Sequence, residues 1–350
     1  MTIPPSRTYD VAIIGAGPAG LFAVFELGLL GLSTVVIDTL DKPGGQCAEL
    51  YPEKPIYDIP SWPVITGQEL TDKLLEQIRP FAPEFRLGQL VSGVSRRIDG
   101  RFDVTTDAGF TANVAVVVIA AGAGSFMPRR PKLPGLASFE NRSVFYAVRD
   151  RAQFIGRDIV IVGGGDSAFD WAINLASEAK SLTLVHRSDR FRASPASVAR
   201  MRELQAAGRL SFLQGELAGL TGRSGQLASV QVKTSATIDT VRAERLLAFF
   251  GLNIELGPIG QWGLDLADGK QIRVDTERFQ TSTEGIFAIG DINWYPGKLK
   301  LILSGFHEAA LASHAAFRLA RPNEKLRFQY TTSSSELQQR LNVVQPAKAA

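Results

Sequence analysis

Apolar runs that stop abruptly at glycine clusters set the pattern of this chain. Tyr9-Asp10-Val11-Ala12-Ile13-Ile14 predicts a strand, ends at Gly15-Ala16-Gly17-Pro18-Ala19-Gly20, and is followed by a helical stretch over Ala19 to Leu30. The pattern recurs. Asp158-Ile159-Val160-Ile161-Val162 predicts a strand, Gly163-Gly164-Gly165-Asp166-Ser167-Ala168 comes next, and a helix is expected from Phe169 to Glu178. A glycine loop between strand and helix lets backbone N–H groups approach a pyrophosphate at a helix N-terminus. Two such loops imply two bound dinucleotides, and two dinucleotides on one chain suggest electrons passing between them.

The two sites differ at the end of the second strand of each unit. The strand Ser33–Ile37 ends at Asp38, about 20 residues past the first loop, where a carboxylate can accept both ribose hydroxyls of an adenosine. That site suits FAD or NAD. The strand Ser181–Val185 ends instead in His186-Arg187-Ser188-Asp189-Arg190-Phe191-Arg192. Arginines there match a 2′-phosphate, so the second site should take NADP(H).

Between these landmarks, Pro43-Gly44-Gly45-Gln46 is a turn where backbone can come close to a ligand. Leu50 to Pro60 is broken by prolines and is expected to be irregular. A helix is predicted over Gln68–Ile78, and strands over Phe85–Val91, Val94–Ile98, Arg101–Thr106 and Val114–Ala120. Ala120 to Gly124 and Phe249 to Asn253 are candidate junctions and hinges. A less regular stretch is expected before the second. Near the end, Gly285 to Asp291 is a short apolar strand closing in Gly-Asp, and Leu299–Leu319 is helical. The expected fold class is α/β, with two Rossmann-like dinucleotide-binding domains in three layers. Their bounds are residues 1–122 plus 254–327 for one and 125–250 for the other, with a polar extension over 328–350.

Composition narrows the chemistry. A length of 350 residues suits two domains, and a net charge of +3 is too weak for a nucleic-acid binder. No apolar run reaches the ~20 residues of a membrane span, and no signal-peptide core follows Met1, which makes the cytoplasm the default. One cysteine, Cys47, excludes an intramolecular disulfide, a CxxC centre and a Cys-based metal site, and three histidines argue against a zinc or iron site made from side chains. Redox chemistry must therefore come from an organic cofactor. Cys47 reads as a packing residue, and His307 and His314 as capping or surface residues. Arg96-Arg97, Arg129-Arg130 with Lys132, and Lys298 with Lys300 read as solvated loops that lend weak support to docking an acidic partner.

Together these motifs resemble the thioredoxin reductase group of flavoproteins. The matches are Gly15-x-Gly17-Pro18-Ala19-Gly20, Pro43-Gly44-Gly45-Gln46, Gly163 to Ala168, His186-Arg187 to Ala193, and Ala288-Ile289-Gly290-Asp291. Where those reductases carry CxxC, this chain has Gly165-Asp166-Ser167-Ala168. Without a dithiol, electrons cannot leave by disulfide exchange, and thioredoxin is not an expected substrate. The chain is more similar to the thioredoxin-reductase-like ferredoxin–NADP(+) reductases. The shared marks are Leu50-Tyr51-Pro52-Glu53-Lys54-Pro55-Ile56-Tyr57-Asp58, Gly297 to Ile302, and an extension past the last helix, Phe328-Gln329-Tyr330-Thr331-Thr332. The resemblance implies a homodimer with FAD and NADP(H), serving a ferredoxin or flavodoxin. It places Tyr51 and Tyr330 on the two flavin faces, with Thr331 and Thr332 beside them. It puts Asp291 at the ribityl–pyrophosphate part, Phe126 and the Val91 backbone in the isoalloxazine and adenine pockets, and Asp58 near the ring. Ser188 stands where many relatives have a second arginine, and Tyr330 where some have histidine. Two other readings use the same residues: an NADPH-dependent quinone or ferric-complex reductase, and a flavin redox sensor without turnover.

Overall fold

The computed structural model describes residues 7–122, 124–326 and 338–339. It divides into two compact units, one built from the chain up to Ser125 and again from Ile254, the other from Phe126 to Asn253.

The first unit opens with β1 (Arg7–Ile14), α1 (Pro18–Leu29), β2 (Thr34–Ile37) and α2 (Gly45–Leu50). A short antiparallel pair, β3 (Pro55–Ile56) and β4 (Ile65–Thr66), leads to α3 (Gly67–Ile78), and β5 (Glu84–Arg86), β6 (Val91–Arg96), β7 (Phe102–Thr106) and β8 (Thr111–Ile119) come after it. β1 lies between β2 and β8, parallel to both, with Val11 opposite Thr34 on one side and Val116 on the other. Strand alternation sorts the side chains onto two faces. Val11, Ile13, Val36, Val116 and Val118 pack against the helices; Ala12, Ile14, Val35, Ile37, Val117 and Ile119 pack into a second core on the other face. A capping box starts α3: the Glu69 N–H donates to the Thr66 hydroxyl at 3.2 Å, and the Thr66 N–H donates to the Glu69 carboxylate at 2.8 Å.

The second unit is entered through β9 (Ser125–Pro128). It comprises β10 (Val144–Phe145), β11 (Asp158–Val162), α4 (Asp166–Leu175), β12 (Ser181–His186), α5 (Pro195–Ala206), β13 (Ser211–Gln214), β14 (Glu216–Arg223), β15 (Gln226–Lys233), β16 (Ile238–Arg242) and β17 (Arg245–Ala248), and is left through β18 (Leu252–Glu255). Its parallel sheet runs β10-β17-β11-β12-β13, and β14-β15-β16 form an antiparallel meander. Ile159, Ile161, Leu182 and Leu184 face α4 and α5; Val160, Val162 and Val185 share a core with Val230 and Val232 of the meander.

The chain then adds β19 (Leu266–Ala267), β20 (Gln271–Arg273), β21 (Ile286–Ala288), β22 (Asn293–Trp294) and α6 (Ile302–Ala320) to the first unit. β21 pairs with β8 in parallel, Phe287 opposite Val118.

Three expectations change. The proline-rich stretch is not wholly irregular: β3 pairs with β4, and Ile59 and Ile65 enter the core. The strand expected over Phe85–Val91 breaks after Arg86, because Gly88 takes φ +66°. The stretch expected to be less regular before Phe249 carries α5 and the meander, where a register shift between Leu227 and Ser229 lets Leu227 join Val230 and Val232 on the buried face.

Phe287 is fully buried between sheet and helices. Phe287→Ala should lower stability by about 3–5 kcal/mol, from lost burial plus the cavity left behind. Urea unfolding monitored by circular dichroism measures this.

Candidate functional site

In the first unit, the glycine loop is drawn tight by contacts only glycine permits. Gly15 has φ +113°, and a Cβ there would overlap the Ala120 carbonyl. A Cβ on Gly20 would overlap the Gly15 carbonyl, so α1 could not start where it does. Gly17 caps the helix in extended conformation and Pro18 occupies its first turn, where a missing N–H costs nothing. With no side-chain cap present, the first N–H groups of α1 are left for a ligand.

The second turn is docked onto this loop. The Gly44 N–H donates to the Ala16 carbonyl at 2.8 Å. A Cβ on Gly45 would lie 2.9 Å from the Gly17 Cα. Gln46 reaches the other side, its amide nitrogen 3.5 Å from a Cβ built on Gly122. Asp38 closes the group. Its two carboxylate oxygens accept the Ala16 N–H at 2.6 Å and the Leu40 N–H at 2.8 Å. Burial raises its pKa against the pull of these bonds. The carboxylate keeps lone pairs beyond these two bonds, while already tying β2 to the glycine loop. Val91 comes alongside because the Gln89 N–H donates to the Asp38 carbonyl at 3.0 Å; its own side chain is core.

Tyr51 ends α2, and its hydroxyl lies 3.5 Å from the Cys47 sulfur. Burial raises the Tyr51 hydroxyl, with smaller contributions from the neighbouring Cys47, Asp291 and Asp58 charges. The structure thus brings Tyr51, Cys47, Asp58 and Asp291 into electrostatic reach of one another, with Asp58 on the exposed rim. Burial pushes the Cys47 thiol up to about 11.

A residue that sequence reasoning passed over holds the Gly290–Asp291 turn. Glu308 on α6 is fully buried. One of its oxygens accepts the Gly290 N–H at 2.7 Å and the Asn293 amide at 2.8 Å; the other accepts the Tyr295 hydroxyl at 3.0 Å and the Lys298 ammonium. Lys298, expected in a solvated loop, has a side chain only 4% exposed. The available signal was a carboxylate on a stripe of small residues, Gly305, Ala309, Ala312 and Ala316. The other basic clusters are largely neutralised: Arg96 pairs with Glu284, Arg97 with Asp103 and Arg130 with Glu140. His307 is exposed on α6, and His314 is part-buried, its pKa lowered by burial and by Arg318.

In the second unit, Gly163 runs between β11 and α4 where a Cβ would come 2.7 Å from the Phe249 carbonyl. A Cβ on Gly164 would overlap the His186 ring, so the imidazole occupies room that only glycine leaves. Gly165 caps α4 and has open space around it; Asp166, Ser167 and Ala168 form the first turn, with Ala168 buried. Two bonds hang the arginine loop on this cradle. The Arg192 N–H donates to the Gly164 carbonyl at 2.7 Å, and the Ser194 N–H donates to the Asp166 carboxylate at 3.0 Å. Burial lowers the His186 pKa, and Arg187 and Arg192 lower it further. Arg187 and Arg192 are exposed, and neither joins an ion pair among the described residues. Such arginines are free to meet a phosphate.

Phe126 lies in β9, and Tyr330, Thr331 and Thr332 lie outside the described residues. Among the described residues no His, Cys, Asp and Glu group suits a metal, and no helix is long and apolar enough to cross a membrane.

The family model for pyridine nucleotide-disulphide oxidoreductases matches residues 9–316. This chain belongs to that family. It is accordingly an enzyme, an oxidoreductase with Rossmann-like dinucleotide-binding units. It is 59% identical over 336 residues to a protein of Mesorhizobium japonicum named ferredoxin–NADP reductase, covering 96% of this chain and 98% of that one. A protein of the same name from Parvibaculum lavamentivorans is 56% identical over 337 residues, covering 96% and 98%. Among solved structures, the thioredoxin reductase of Lactococcus lactis superposes with a TM-score of 0.75 at 25% identity, covering 89% of this chain and 99% of that one. The family name refers to a disulphide, yet this member has one cysteine, and it is buried.

With its thiol held near 11, Cys47 is thiolate in only about one molecule per thousand at pH 8. Iodoacetamide should therefore modify the folded protein at least about a hundredfold more slowly than the unfolded chain. Mass analysis of timed aliquots, with and without denaturant, checks this.

Proposed function

We propose that this chain is an FAD-dependent ferredoxin–NADP(+) reductase exchanging electrons with a ferredoxin or a flavodoxin, and that it works as a homodimer. One observation carries the reading. A dinucleotide cradle ending in an acid and a second ending in free arginines share a chain whose sole cysteine is buried. The names of its relatives support it.

The residues fit the two cofactors. In the proposed FAD domain, residues 1–122 with 254–327, Gly15, Gly17, Pro18, Ala19 and Gly20 take the pyrophosphate at the open N-terminus of α1. Asp38 takes the ribose, and the Val91 backbone borders the adenine. Gly45, Gln46 and Asp291 border the middle of the cofactor, and Tyr51, Asp58 and Phe126 its ring. The extension 328–350 supplies Tyr330, Thr331 and Thr332. In the proposed NADP domain, residues 125–250, Gly163, Gly165, Asp166, Ser167 and Ala168 form the phosphate cradle. His186, Arg187 and Arg192 receive the 2′-phosphate, two of them as charge-assisted donors.

Bound here, FAD would supply hydride acceptance from NADPH and one-electron release, chemistry that no side chain of this protein provides. The protein's part is positioning and exclusion. Tyr51 and Cys47 keep their protons, so the wall they form stays neutral and apolar toward the ring. No side-chain acid or nucleophile is needed for the central step.

Purified protein should be yellow with FAD, and should reduce ferredoxin or flavodoxin with NADPH in a salt-sensitive manner, and thioredoxin not at all. Steady-state assays with ferredoxin, flavodoxin, quinone and thioredoxin as acceptors decide this. Turnover with quinone alone would favour a different acceptor class.

Replacing Arg187 and Arg192 together by alanine removes their charge-assisted contacts, worth ~1.5–3 kcal/mol. The preference for NADPH over NADH should fall about tenfold or more. A double variant with unchanged KM for NADPH would remove the 2′-phosphate from this loop.

A further inference from the structure

The carboxylate of Glu308 is saturated. It accepts the Gly290 N–H, the Asn293 amide, the Tyr295 hydroxyl and the Lys298 ammonium, and its residue has no exposed surface. Gly290 has φ +75°, and a Cβ there would meet the Ala19 Cβ at 3.3 Å. The turn therefore sits between the first glycine loop and α6. Lys298 also lies 5.4 Å from the Tyr295 ring centroid, which pins the loop leading into α6.

A buried ion pair is a poor choice for stability alone, since apolar residues of equal volume often serve as well. What four directed bonds supply is a single orientation of the peptide next to Asp291. Apolar packing would not orient that peptide.

We propose that Glu308 and Lys298 are a positioning pair that sets the Gly290–Asp291 turn for the flavin. This rests on reading the first unit as the FAD site. The pair is two charges of opposite sign close to Asp291, so removing either one alone also changes the field at the turn.

The test uses full-length protein and three variants: Glu308→Gln, Lys298→Met and the two combined. The FAD dissociation constant is read by flavin fluorescence on titrating apoprotein, and the midpoint potential by dye equilibration. Each single variant should bind FAD about tenfold or more weakly, as expected for loss of a bond to a charged group. The potential should rise in Glu308→Gln, where Lys298 stays positive, and fall in Lys298→Met, where Glu308 stays negative. The double variant should return toward the wild-type potential while still binding FAD weakly. Wild-type affinity and potential in both single variants would overturn the proposal, as would shifts in the same direction. If a single variant does not fold, the double variant, which leaves no unpaired buried charge, decides. Wild-type FAD affinity there overturns the proposal. Wild-type protein that binds no FAD overturns the FAD reading itself, before any variant is made.

Discussion

Backbone packed on backbone is the constraint on which the rest of the first unit depends. The glycine loop and the Gly44-Gly45 turn meet backbone to backbone, and the Gly290 turn comes against them at the Ala19 methyl. Cβ atoms on Gly15, Gly20 or Gly45 would each collide with main chain. That closeness goes with the absence of any side-chain cap on the first N–H groups of α1. It also explains why Asp38 can do two things. Its oxygens fasten the loop through Ala16 and Leu40, and the same carboxylate keeps lone pairs beyond those bonds, which the proposed reading gives to a ribose.

Charge is used differently inside and outside. The surface arginines mostly pair with acids such as Glu284 and Asp103 and contribute little to stability. The interior holds a pair of opposite charges at great expense, the carboxylate of Glu308 and the ammonium of Lys298. Leaving either partner alone in that interior would cost several kcal/mol, because an unpaired charge there has no water to turn to. Arg187 and Arg192 are the reverse case. They are exposed and lack ion-pair partners among the described residues, and Arg192 is held to the second glycine loop by its N–H bond to the Gly164 carbonyl.

The family carries disulphide chemistry in its name, and this member cannot perform it. A lone, buried thiol with a raised pKa is neither a nucleophile nor half of a redox pair. Beside it Tyr51 is likewise held protonated. Cys47 and Tyr51 together therefore form a neutral, desolvated wall in the first unit. This is consistent with electrons leaving through the cofactor rather than through the protein.

Much of this was legible in the sequence. Strand-then-glycine runs located both parallel sheets and both cradles, because a close backbone approach admits only glycine and leaves a visible mark. The acid after β2 and the arginines after β12 were equally visible, since each ends a strand at a fixed distance from its loop. The meander of β14 to β16 was harder to read, because register shifts in the β14–β15 pair break the alternation. What the sequence did not reveal was the fate of Lys298 and Glu308, ten positions apart. A lysine in a Gly-Lys-Leu-Lys segment looks solvated, and a lone glutamate in a helix looks exposed. Only the packing of α6 against the Gly290 turn buries both, and burial is decided by neighbours distant in the chain. Local pattern thus determined the elements and the chemistry at their ends, while tertiary structure alone decided which charges lost their water and had to find each other.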